Sequence, residues 1–417
     1  MFEPAPEFVP LAPSRFVLPK TDRGVLERSV RERALAIVGD LLSAPTAPYA
    51  EDLVLLRVRR RFAGRAQFEV QLDASANLLV TYRGGAPDAA SRKTAPLAFS
   101  AHLDHPGFLL RPAVAGKHSA SFHGGVPSRY FPGARVRFFA CQDGRDCATA
   151  RVARVEALPS GEVLASLEDF AGDVSEQAAQ QLLGMWDLPA GVVRGTRLHA
   201  RVCDDLLGVA AILAVLEELA EKNSPAAVLG IFTRAEETGF IGCQGLLCGA
   251  HDLATTCVVG LECSPARATA KVGAGVVLRV GDAASVFDPD ATHVLQDCAR
   301  ALQRERAGFR FQRALMDGGR CESTAYNLWG VRAAGLCLAL GNYHNCGRGN
   351  EIAPEYVDWN DFEDLIALLS ACVDSFEHAR PSAAARQRLQ RVWDSESALL
   401  RSSAERIRSR FEPARVS

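Results

Sequence analysis

Ile231-Phe232-Thr233-Arg234-Ala235-Glu236-Glu237-Thr238-Gly239-Phe240 is the stretch from which the rest of the chain can be read. An apolar run from Ala226 to Phe232 reads as a buried strand, and it leads directly into two adjacent carboxylates, Glu236 and Glu237, with a glycine behind them. Such a strand delivers two acids to the end of a sheet. Neighbouring side chains on a tight turn face different ways, so one can bind a metal while the other handles a proton. Taken alone, a solvated pair on a loop is the simpler reading. What other strands bring to the same end decides between them.

Composition sets the frame. The chain has 417 residues, enough for two or three domains, with 48% hydrophobic and 23% charged residues, as in a globular protein with a sizeable core. A net charge of −2 gives no reason to expect nucleic acid or an anionic membrane as partner. No apolar run approaches the roughly 20 residues of a membrane span. Residues 1–19 carry prolines and acids where a signal peptide needs a basic start and an apolar core, so a cytoplasmic protein is expected. The 12 cysteines form no Cys-x-x-Cys pair and read as reduced, mostly buried thiols.

Outward from the Glu pair, the chain reads as an extended arm over 1–20, amphipathic helices over Val25–Leu42 and Glu51–Phe62, and a hairpin of Phe68–Leu72 with Leu78–Tyr82. Pro87 to Thr94 reads as a surface loop, and Leu97–Ala101 as a short strand ending in His102-Leu103-Asp104-His105. From Phe108 to about Leu198, short alternating runs broken by Gly and Pro read as a β-rich insertion, with a helix signal over Ser175–Leu183. After Asp204-Asp205 an apolar helix runs to about Glu221. Strands are expected at Ala226–Phe232, Cys257–Leu261, Ala270–Val280 and Arg332–Leu340, and helices at Ala291–Arg306, Glu322–Leu328 and Trp359–Phe376.

The expected fold is α/β: a mixed sheet covered by helices on both faces, with an inserted small β-barrel-like domain. Its parts are a discontinuous catalytic domain (21–106 and 199–379), the insertion (107–198) and an Arg-rich tail (380–417). In that tail Leu389, Trp393, Leu400, Ile407 and Phe411 keep helical spacing, as in an amphipathic helix that packs on the body or on another subunit.

Five stretches then place acids and imidazoles together. His102 ends one strand, Asp204 re-enters the α/β domain, Glu236 and Glu237 end a second strand, Glu262 ends a third, and His344 follows a fourth. Loops at the carboxyl ends of strands converge on one crevice in such sheets. Imidazoles and carboxylates without thiolates suit zinc, cobalt or manganese. Two imidazoles and three carboxylates, one shared, would hold two ions and leave a further carboxylate to take a proton from water. Asp104 is placed to accept the second ring N–H of His102. His251, His293 and His378 read as ordinary histidines.

In order and spacing, His102-x-Asp104-x-x-Gly107, Asp204-Asp205-x-x-Gly208, Glu236-Glu237-x-Gly239, Glu262 and His344 resemble the co-catalytic metallo-aminopeptidases of family M42, in the clan that also holds M18, M20 and M28. The resemblance spans about residues 25–378. It implies that Asp204 bridges two divalent ions, zinc first, with cobalt or manganese as alternatives. His102 and Glu262 would complete one site, Glu237 and His344 the other, with the assignment of acids to ions left open. It further implies Glu236 as general base, Asp104 as partner of His102, a cis Asp204–Asp205 peptide, and assembly through the insertion into dimers or dodecamers. The implied reaction removes N-terminal residues from short peptides through a metal-bridged hydroxide.

The chain departs from that family at Leu206, where a basic residue is usual, at Glu262, usually Asp, and at Arg234, usually uncharged. These keep open a second expectation, an amidohydrolase or deacylase of the same clan acting on small N-acylated metabolites. A non-catalytic assembly protein is a third, and it predicts a degraded ligand set. Cys203, Cys263 and Cys346 lie beside the expected ligands, either as small fillers or as thiols that make the site oxidation-sensitive.

Overall fold

A computed structural model of the chain describes residues 22–84, 95–159, 162–172, 174, 181–249, 251–378, 387, 389–398 and 400–401. The expected arm, the loop over Pro87–Thr94, and Ile407 and Phe411 of the tail lie outside the described residues. Residues 389–398 are helical, in a unit separate from the body that begins at His378. Among the described residues no helix is long and apolar enough to cross a membrane.

Helices α1 (Arg28–Ser43) and α2 (Asp52–Phe62) open the body. α1 buries Val30, Ala34, Ile37, Val38 and Leu41, one face of a 3.6-residue repeat. The hairpin of β1 (Phe68–Leu72) and β2 (Leu78–Arg83) turns on Asp73, whose carboxylate accepts the N–H groups of Ser75 and Asn77, both at 2.8 Å. β3 (Leu97–His102) follows, buried along its whole length.

A closed barrel comes next. β4 (Gly107–Leu110), β5 (Ser119–His123), β6 (Arg135–Ala140), β7 (Asp146–Ala157), β8 (Val163–Ala171) and β9 (Leu182–Trp186) close in the order β4-β5-β8-β7-β6-β9. Its centre is aromatic: Phe108, Phe122, Phe131, Phe138 and Trp186 pack together, with Phe108 edge-on to Trp186 at 5.0 Å. The helix expected over Ser175–Leu183 does not reach Leu182 and Leu183, which begin β9; residues 175–180 lie outside the described part. Closing the barrel takes the apolar run Leu182–Trp186. Gly184 is required within it, because a Cβ there would lie 2.6 Å from the Phe138 ring.

The chain continues through β10 (Gly191–Arg194), β11 (Arg197–Ala200), α3 (Leu206–Glu221), β12 (Ala227–Thr233), α4 (Ile241–Cys248), β13 (Cys257–Pro265) and β14 (Val276–Asp282). It ends the body with α5 (Pro289–Glu305), β15 (Phe311–Met316), α6 (Glu322–Leu328), β16 (Ala333–Leu340), β17 (Glu355–Asp358) and α7 (Trp359–His378). β10 and β11, expected inside the insertion, pair instead with β17 in a separate three-stranded sheet. The strand expected from Ala270 starts only at Val276. Gly273 and Gly275 take positive φ, and Asp361 accepts their N–H groups at 2.7 and 2.8 Å, so the chain turns there.

The large sheet has eight strands in the order β1-β2-β12-β3-β13-β16-β14-β15. Its centre, β12-β3-β13-β16, is parallel, so the carboxyl ends of these four strands lie along one edge. Both faces are covered, and β12 shows how. Ile231 packs among Cys243 and Leu246 of α4 and Ala325 and Tyr326 of α6. Gly230, pointing the other way, meets Ile212 and Leu216 of α3, each 3.2 Å from where its Cβ would lie.

Candidate active site

The carboxyl edge of the parallel strands brings the five expected ligands together. Asp204 lies between two groups. Its Oδ1 is 3.4 Å from Nε2 of His102, which is 3.6 Å from Oε1 of Glu262. Its Oδ2 is 3.7 Å from Nε2 of His344, which is 3.2 Å from Oε2 of Glu237. His102, Asp204 and Glu262 form one cluster of donor atoms within 4.8 Å of one another, and Asp204, Glu237 and His344 form a second. Glu262 lies within β13, which continues to Pro265, rather than at the strand's end.

Both imidazoles are oriented by carbonyl oxygens, which only accept. Nδ1 of His102 donates to the Asp104 carbonyl at 3.1 Å, and Nδ1 of His344 donates to the Gly125 carbonyl, next to the barrel strand β5, at 2.9 Å. In the neutral ring each Nε2 then keeps its lone pair towards the cluster. The expected contact from the Asp104 carboxylate to the His102 ring is absent: Oδ1 is 3.7 Å from Nδ1. That carboxylate instead accepts the backbone N–H groups of Glu236 at 3.0 Å and Glu237 at 3.1 Å.

The Glu pair is held through its backbone. Four consecutive amides each find a side-chain oxygen: Arg234 on Asn77 at 3.1 Å, Ala235 on Glu51 at 2.9 Å, and then the two on Asp104. Ala235 takes a left-handed φ of 49°, and these bonds hold it there. Arg234 is explained by the same arrangement, since its Nε lies 2.8 Å from Oε2 of the fully buried Glu51. The carboxylate of Glu236 makes no hydrogen bond to another described residue, which leaves it free for water.

Several partners carried no sequence signal. Glu355, fully buried, accepts the N–H groups of Cys203 at 2.7 Å, Asp204 at 3.2 Å and His344 at 2.9 Å. His105 joins the Asp204 carbonyl (2.8 Å) to the Asn345 side chain (3.0 Å). Glu322 accepts from Ser100 at 3.0 Å beneath the site. The Asp204–Asp205 peptide is cis, and Asp205 caps α3 by accepting from Gly208 at 3.2 Å. Gly208 has to be glycine, because a Cβ would lie 2.3 Å from Asp205 Oδ2. Leu206 is buried in the first turn of α3. Cys203 and Cys263 are fully buried and burial raises both thiols well above their ordinary range, which fits the filler role. Cys346 is half-buried.

Electrostatics test whether metal ions fit. Burial raises the carboxyls of Asp204 and Glu236 well above the carboxylate range, and neighbouring acids add to it. Burial disfavours charge on His102, yet Glu236, Asp204 and Glu262 outweigh it and raise the imidazole well above its ordinary value. The cluster thus demands positive charge. His102 Nε2, Glu237 Oε1, Glu262 Oε2 and His344 Nε2 are all buried without a hydrogen-bond partner. Buried polar atoms are rarely left so, and a pair of divalent ions fits these donors.

The family model described as M42 glutamyl aminopeptidase matches residues 181–356. No curated protein sequence matches. Solved structures of similar fold include the TET1 peptidase of Pyrococcus horikoshii, 19% identical, with a TM-score of 0.63 over 82% of this chain and 99% of that one. A TET aminopeptidase from a marine-sediment Thaumarchaeota archaeon is 17% identical, with a TM-score of 0.64 over 82% and 96%. An aminopeptidase from Desulfurococcus kamchatkensis is 18% identical, with a TM-score of 0.64 over 84% and 96%.

Proposed function

Since the chain belongs to the M42 family of peptidases, we propose that it is an aminopeptidase of short peptides that works with two divalent ions, zinc first. His102, Asp204 and Glu262 would hold one ion and Asp204, Glu237 and His344 the other. Bound there, such ions supply Lewis acidity towards the scissile carbonyl and make water more acidic. The observation that carries this reading is the set of buried, unpartnered ring nitrogens and carboxylate oxygens converging on Asp204.

Glu236 is the general base. It takes a proton from the attacking water and returns it to the leaving amine. Asp104 fixes Glu236 and Glu237 through their amides, and Glu355 fixes Asp204 and His344 in the same way.

The cleft beside Glu262 supports an acidic side chain at the peptide's N-terminus. Arg267, Arg279 and Arg320 line it with Met316, Gly319 and Tyr343. The six-stranded barrel is the proposed assembly unit of a homo-oligomer; the TET1 peptidase named above is described as forming a tetrahedron or an octahedral shell. The 12 cysteines are free thiols, which supports a cytoplasmic setting.

The test is metal content together with turnover of aminoacyl anilides, before and after chelation, beside Glu236→Gln. About two metal equivalents, chelator-sensitive turnover and a loss of roughly 10²–10⁴-fold in kcat in the variant are expected. Bound metal with turnover of N-acyl amino acids alone would replace this reading with the deacylase.

A further inference from the structure

We propose that Tyr343 is a catalytic residue whose phenol donates a hydrogen bond to the carbonyl oxygen of the scissile amide as that carbon becomes tetrahedral. The proposal rests on the peptidase reading above. Tyr343 stacks on the His344 ring at a centroid distance of 3.7 Å and an angle of 25°, so it is fixed against one of the proposed ligands. The turn that carries it is pinned on both sides. Asn342, before it, donates to the Pro354 carbonyl at 2.8 Å, and the His344 N–H after it is held by Glu355 at 2.9 Å.

The hydroxyl itself is not held. It makes no hydrogen bond to another described residue, and it opens on the cleft that Glu262 and Gly319 also line. Gly319 has no side chain to cover it; a Cβ there would lie 3.9 Å from the phenolic oxygen. Stacking and packing alone would be served by phenylalanine. Around the cluster stand Asp204, Glu236, Glu237 and Glu262, which as carboxylates accept and cannot donate. A neutral phenol brings an O–H to this rim. As the water oxygen bonds to the carbonyl carbon, the π pair moves onto the carbonyl oxygen, and the phenol stabilises that charge while keeping its proton.

Tyr343→Phe retains the ring and removes the donor. In the metal-loaded protein kcat should fall roughly 10²- to 10³-fold with KM within about threefold. By calorimetry a peptide phosphinate, which mimics the tetrahedral state, should bind about 100-fold more weakly, with metal content unchanged. Turnover and phosphinate affinity within about threefold of wild type, a rise in KM alone, or loss of metal would each overturn the proposal while the function stands. Wild-type protein that neither cleaves peptides nor binds the phosphinate overturns both.

Discussion

Glu355 holds His344: one of its carboxylate oxygens accepts the His344 N–H at 2.9 Å, while the other accepts those of Cys203 at 2.7 Å and Asp204 at 3.2 Å. A single buried side chain thus sets the spacing between Asp204 and His344. Glu355→Gln puts an NH₂ group against one set of N–H donors and breaks that arrangement. Metal affinity of the chelated and reloaded protein should drop about 10- to 100-fold, as for other groups that orient ligands. Calorimetric titration with zinc checks this, and unchanged affinity would show that the backbone holds itself.

Glu322 predicts a pH dependence. Burial pushes its carboxyl up to about 7 from 4.5. A raised folded-state value means that the folded protein binds this proton more tightly, so the contribution to stability is full below 4.5 and is lost as pH rises towards 7. At about 1.4 kcal/mol per pH unit, the loss amounts to about 3 kcal/mol. Glu322→Gln cannot ionise. In metal-free protein, its stability relative to wild type should therefore grow by about that amount between pH 4.5 and 7 and then level off. Urea unfolding across that range measures it, and a constant difference would contradict it.

How far the sequence revealed this site depends on whether a residue acts through its strand or across strands. The run into Glu236 and Glu237 was legible because a buried parallel strand is continuously apolar and its end is marked by charge. His102 and Asp204 were legible for related reasons. Glu355 was not: it stands between Pro354 and Tyr356 on a four-residue strand, and its role exists only once β17 lies beside the Asp204 loop. Asp104 does accept the ring N–H of His102, but through its backbone carbonyl and not through its carboxylate. The strand end carries its carboxylate across to the neighbouring turn, so it serves two amides there rather than the nearby ring. β15 is hard to read in the sequence because Phe311–Met316 is an edge strand with Arg313 and Leu315 exposed, which blurs its alternation. Glu51 and Arg234, 183 positions apart, form a pair that no local pattern announces.

The arginines of the cleft give the last expectation. Arg279 is buried and donates to Ser264 at 2.9 Å, which fixes a positive charge close to Glu262. Arg267 and Arg320 are exposed at the rim, Arg320 over the Phe240 ring at 6.0 Å. An acidic N-terminal side chain should therefore be preferred, and kcat/KM should be higher for a glutamyl than for a leucyl anilide. Exposed charges contribute up to about 1 kcal/mol each, so Arg267→Ala with Arg320→Ala should lower the glutamyl-to-leucyl ratio by roughly tenfold. Salt should shrink the wild-type preference and leave the double variant nearly unchanged, because rim charges are screened. Measuring the ratio at low and high ionic strength separates this from a general loss of activity, which would lower both substrates together. A ratio unmoved by either substitution would place the N-terminal side chain elsewhere.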